Sequence, residues 1–261
     1  MNHYLLPLLF IATVYAVTII LNETIGLFRD SFSSPGVKVL AYVWLGICLF
    51  LLTLLIVASS LAPPTAKDLA RVPFYSLFTL HAILIIFLFV WWLLAGRPPV
   101  TRFLNIQREH PGEAVLTGLA VGVGGWIVTI LLALTIALIL QSAGLLPKHP
   151  EPSAMIAWMA SLPLWKKILI VISAMTVEEA FFRGWLQKRV GLIASTLLFA
   201  LAHAGLGQPF LLVGVAIISL IIGTTFYRTK NLIPGIIAHG VFDAVQLFVV
   251  IPIAFKAVGA S

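Results

Sequence analysis

Uninterrupted apolar stretches recur along this chain, and several are longer than the ~18 residues an α-helix needs to cross a bilayer. They run Tyr4 to Leu21, Val39 to Leu61, Phe74 to Ala95 and Ala114 to Leu140, with further apolar segments to the C-terminus. With 61% of residues hydrophobic and 10% charged, a soluble domain of 261 residues has no interior large enough to hide them, so the solvent must be lipid. Only helices or closed barrels satisfy the backbone there. The ~10-residue alternation of a barrel strand is missing. The reading is an all-α, polytopic integral membrane bundle of about eight transmembrane helices, multi-pass in a cell membrane.

Prolines and glycines punctuate the spans. The second run stops at Pro63-Pro64 and the third at Gly96-Arg97-Pro98-Pro99. The fourth carries Gly118, Gly122, Gly124 and Gly125, spaced for close helix packing. A connection with Pro147, Pro150 and Pro152 follows, then Met155 to Met159, short enough to lie flat at the interface. Further helices are expected over Lys167 to Val190, Gly191 to Ala204, Phe210 to Tyr227 and Pro234 to Phe255. Tyr4 to Leu21 has no basic n-region and ends in Leu21-Asn22-Glu23, so it reads as a retained helix rather than a signal peptide. With no long linker, 1–261 reads as one transmembrane domain. Residues 1–150 hold helices of unassigned role, and 165–255 hold the polar residues discussed next.

The net charge of +7 does not point to nucleic acid, because the basic residues sit in short loops beside apolar runs. There they set orientation and meet anionic lipid. Arg29, Lys38, Arg97, Arg102, Arg108, Lys188, Arg189, Arg228 and Lys230 fall on one side of an eight-helix arrangement. Lys67, Arg71, Lys148, Lys166, Lys167 and Lys256 fall on the other, which favours both termini outside. The single cysteine, Cys48, excludes an intrachain disulfide.

Six ionisable residues stand inside the later helices: Glu178, Glu179, Arg183, His203, His239 and Asp243. An ionised side chain at the centre of a bilayer costs ~2.5–3.5 kcal/mol even on the lenient insertion scale. Each small group has an ordinary explanation. Glu179 and Arg183, four apart, form a structural ion pair; His239 and Asp243, also four apart, share a hydrogen bond. His203 reads as a satisfied core histidine. Three helices each bearing an unexplained cost are better explained jointly, as one hydrated site. His81 stands apart in the chain and reads as packing or a helix–helix hydrogen bond.

The motifs sharpen this. Glu178-Glu179-Ala180-Phe181-Phe182-Arg183 resembles the EExxxR signature of the CAAX prenyl-protease and bacteriocin-processing family, the Abi or type II CAAX endopeptidases. Phe199 to His203 resembles its FxxxH signature, and His239 to Asp243 its HxxxN/D signature, with Asp in place of Asn. The resemblance implies an intramembrane peptidase acting on a membrane-associated protein or peptide. It implies Glu178 as a base activating water with His203, Glu179 supporting the site with Arg183, and His239 with Asp243 stabilising an oxyanion or holding a metal. On chemistry alone, His203, His239 and Glu178 can hold Zn²⁺ with an open water position. No HExxH motif selects a metal, so the cofactor is zinc, another divalent ion, or none. An ionised Asp243 cannot donate to an oxyanion as an amide does, so it must be protonated, orient His239, or ligate metal. Two other readings stay open: a non-enzymatic immunity or secretion scaffold, and a proton-coupled transporter.

Overall fold

The computed structural model describes residues 32–62, 64–145, 153–206 and 209–257. The run Tyr4 to Leu21, residues 146–152 and the pair Gly207-Gln208 lie outside the described residues. Every regular element among the described residues is helical.

The first, α1 (Pro35–Leu61), starts where Ser34 accepts a hydrogen bond from the Val37 backbone and Pro35 takes the first turn. A short α2 (Ala66–Arg71) follows, closed by a capping box between Thr65 and Asp68. The Thr65 hydroxyl and backbone N–H both donate to the Asp68 carboxylate, which holds its pKa below the ordinary range. A 3₁₀ turn, Phe74–Phe78, leads into α3 (Thr79–Leu94). Next come α4 (Val100–Leu104), the long α5 (Pro111–Ser142) and α6 (Ala154–Ser161), the last covering the Met/Trp stretch expected at the interface.

The remaining elements carry the polar residues. α7 (Leu164–Ser173) continues without a break into wide i→i+5 turns over Ala174–Glu178 and Ala180–Gln187. α8 (Lys188–Ala202) is interrupted at Gly191, whose φ of 80° no helical residue adopts. The chain doubles back at that glycine. α9 (Pro209–Thr229) and α10 (Leu232–Val245) follow. A further wide turn over Gln246–Val250 and α11 (Ile251–Ala257) end the described chain.

Among the described residues, five helical stretches are long and apolar enough to span a membrane: Pro35–Ala58, Phe74–Leu94, Pro111–Ser142, Leu211–Thr229 and Leu232–Ala254. The two expected helices around Glu178 and His203 are present but differ in kind. One carries Lys166, Lys167, Glu178, Glu179 and Arg183. The other has only the residues after Gly191, about 16 Å at 1.5 Å per residue, about half a bilayer core. The lipid reading also fits the surface, where Leu116, Leu131 and Leu138 of α5 are 69%, 60% and 65% exposed.

Two contact regions matter for the site. α10 lies along α5 because Gly118 and Gly122 have no side chains. A Cβ on Gly118 would sit 2.6 Å from Ile237 Cβ, and one on Gly122 2.7 Å from Val241 Cβ. Small residues of this kind replace the hydrophobic effect as the means of joining helices in lipid. On the other side, α3 meets the wide-turn helix through aromatic rings. Phe87 and Trp91 stand edge-on to Trp185 at 4.7 and 5.1 Å, and Phe181 stacks on Trp185 at 5.5 Å. At one end of the bundle the loop after α4 ties the helices together. Lys188 donates to Asn105 Oδ1 and to the Phe103 carbonyl, and Gln107 donates to Asn231 and Lys230.

Candidate functional site

The helix bearing the two glutamates is fixed on three sides. Gln187 Nε2 donates to the Gly223 carbonyl of α9 at 2.7 Å. Ser195 Oγ donates to the Phe182 carbonyl at 2.9 Å, holding the returning half of α8 against the wide turns. The aromatic contacts with α3 supply the third side. Wide i→i+5 turns are rare and recur at functional sites.

Glu178 and Glu179, adjacent in sequence, have separate partners. Glu179 is fully buried. Its Oε1 lies 2.9 Å from His239 Nδ1 and its Oε2 lies 3.2 Å from Arg183 Nε. Room for that carboxylate comes from Gly235, where a Cβ would stand 3.2 Å from Oε2. Arg183, also buried, donates to the hydroxyl and carbonyl of Ser219 on α9 at 3.1 and 3.3 Å. Its guanidinium lies 4.6 Å from the centre of the Phe199 ring. A buried charge survives in lipid only when paired and hydrogen-bonded in this way.

Glu178 faces elsewhere. Its Oε1 is 3.0 Å from His81 Nε2, and its Oε2 is 3.8 Å from His203 Nε2. Oε2 has no hydrogen-bond partner although the residue is buried. His203 ends α8 and donates from Nδ1 to the Phe199 carbonyl at 2.9 Å, so in the neutral ring Nε2 is the lone-pair nitrogen. His239 Nε2 lies 3.3 Å from Asp243 Oδ2. Both nitrogens of His239 therefore face carboxylates, although neutral imidazole carries only one N–H. Phe199 sits between the histidines, its ring centre 4.6 Å from that of His203 and 5.8 Å from that of His239.

All six residues singled out in the sequence thus lie in one chain of contacts, spread over the wide-turn helix, α8 and α10. The metal set does not assemble. His203 approaches Glu178 while His239 is held between Glu179 and Asp243, so the two imidazoles serve different carboxylates. Among the described residues no three or more His, Cys, Asp or Glu side chains are arranged to hold a metal ion. The donor set of His203, His239 and Glu178 does not fit one. His81 does not stand alone, as the sequence suggested. It is a helix–helix hydrogen-bonding residue whose partner is Glu178. The available signal was its burial cost in an apolar helix; no spacing rule links residues 97 apart.

Fold and site together define a multi-pass, all-α membrane protein with a buried glutamate, histidine and arginine cluster. Residues 160–245 match the family model described as Type II CAAX prenyl endopeptidase Rce1-like, a match that takes in Glu178 through Asp243 but covers well under half of the chain. Over 79 residues the chain is 35% identical to the uncharacterized protein YpbD of Bacillus subtilis (strain 168), covering 30% of this chain and 42% of that one. The chain therefore spans less than half the length of that curated relative. No solved structure matches.

Proposed function

We propose that this protein is an intramembrane endopeptidase that hydrolyses a peptide bond of a membrane-associated protein or peptide. The observation that carries the reading is Glu178 Oε2, a buried carboxylate oxygen with no hydrogen-bond partner, facing the lone-pair nitrogen of His203 across 3.8 Å. A gap of that size between two acceptors suits one water donating to both. Glu178 takes a proton from that water as its oxygen attacks the peptide carbonyl, forming a C–O bond. The C–N bond then breaks, and Glu178 returns the proton to the leaving amine. The developing oxyanion is assigned a donor from the His239–Asp243 side. Glu179, Arg183 and Ser219 hold the frame. No step passes through a metal. The match to an endopeptidase family supports the same class of reaction.

The test compares protein termini in cells carrying the native chain, Glu178→Gln or His203→Ala. Termini present only with the native chain identify products. The reading fails if either variant yields the native set of termini.

A further inference from the structure

His81 lies on α3, outside the segment that matches the endopeptidase family. Building on the reading of Glu178 as the group that activates water, we propose that His81, held by Ser173, is a positioning residue that aims Glu178. Its Nε2 lies 3.0 Å from Glu178 Oε1 and its Nδ1 lies 2.7 Å from Ser173 Oγ. Both ring nitrogens are thus engaged, and the ring is buried.

The need for such a residue follows from the carboxylate itself. Its two oxygens are equivalent, and the terminal torsion of glutamate is broad and roughly two-fold. Unrestrained, either oxygen can turn towards His203. The hydrogen bond from His81 occupies Oε1 and leaves Oε2 towards the reacting water. That requires the proton on Nε2. When the Ser173 hydroxyl donates to Nδ1, it selects this tautomer. Ser173 closes α7, one wide turn before Glu178, so the winding that presents the carboxylate also holds the far side of the ring. His81 itself touches neither water nor substrate in this account.

The experiment uses the full chain in liposomes and, as probe, a synthetic peptide spanning a terminus that depends on Glu178 in cells. The variants are His81→Gln, His81→Asn, His81→Phe and Ser173→Ala. A glutamine amide nitrogen reaches about as far as Nε2, whereas that of asparagine stops near Nδ1. Removing a partner that orients a metal ligand typically costs about 10–100-fold, and the same order is taken for a partner that orients a base. The expected result is a fall of that order in kcat for Phe and Asn, with KM little changed. Gln should recover most of the rate, and Ser173→Ala should fall between. The variants should melt near the native temperature. Equal rates for Gln and Asn, or a loss confined to KM, overturn the proposal. If His81→Phe does not fold, the Gln and Asn comparison decides alone. Native termini in Glu178→Gln cells overturn the reading of Glu178 and this proposal with it. A null result at His81 leaves the reading of Glu178 standing.

Discussion

Glu178 and Glu179 are neighbours in sequence and meet different partners from one helix. Glu178 bridges His81 on α3 and His203 on α8, while Glu179 bridges Arg183 and His239 on α10. Neither Oε2 has a hydrogen-bond partner, but that of Glu179 is ion-paired with Arg183 at 3.2 Å, whereas that of Glu178 faces only the His203 imidazole at 3.8 Å. Their substitutions should behave differently.

Glu178→Gln keeps the size of the side chain and removes the base. Folding should be preserved, with a melting temperature in detergent close to native. Cleavage should fall by at least ~100-fold, the lower range for a general base. Peptide turnover and thermal melting, measured on the same preparation, check both halves.

Glu179→Leu should instead damage the fold. It leaves Arg183 buried without its partner, and breaking a buried pair in this way costs about 3–5 kcal/mol. Arg183→Met should cost a similar amount. Replacing both by apolar groups is often neutral, so the double variant Glu179→Leu, Arg183→Met should be more stable than either single one. Melting temperatures of the four proteins test this, and a double variant less stable than both singles would count against the ion pair as described.

Two glycines of α5 offer a matched comparison. Gly122→Ala places a Cβ 2.7 Å from Val241 and 3.0 Å from the Ala238 carbonyl, forcing α5 and α10 apart. Overpacking of this kind costs about 1–3 kcal/mol. Because α10 carries His239, turnover should fall as well. Gly124→Ala meets nothing within 4 Å and should be tolerated.

Asp243→Asn tests how the site uses that residue. Its amide oxygen can still accept from His239 Nε2, and its amide nitrogen can donate. Turnover should stay within about tenfold of native, whereas Asp243→Ala removes both capacities and should fall further, by 10²-fold or more if the oxyanion donor is lost. A loss in Asn as large as that in Ala would show that the carboxylate charge itself is needed.

Chelators give a separate test. Since His203 and His239 serve different carboxylates, 1,10-phenanthroline or EDTA should leave peptide turnover unchanged. Loss of turnover that zinc restores would overturn the arrangement argued for Glu178.

The sequence disclosed local relations more readily than distant ones. Glu179 with Arg183 and His239 with Asp243 could be read from a spacing of four, because helical winding alone brings such residues together. The glycines of α5 announced a close helix contact, yet nothing in them named α10 as the partner. The apolar runs located the described spans because lipid imposes length and composition directly. His81 was legible only as a costly residue. Its partner depends on how α3 packs against the glutamate helix, which aromatic contacts decide. Zinc looked feasible because composition supplies ligand types without saying which carboxylate each imidazole will face. The wide turns over Ala174–Glu178 and Ala180–Gln187 left no readable sign, since they follow from contacts on several sides.

Those wide turns make the glutamate helix longer in sequence than in space. The surplus residues add aim rather than reach. Deleting one of them would let the backbone relax into ordinary α winding and change which way the carboxylates within the stretch face. The phase between the two carboxylates and their imidazoles is thus set by the winding of that stretch. A one-residue slip there would silence the protein more surely than most side-chain changes.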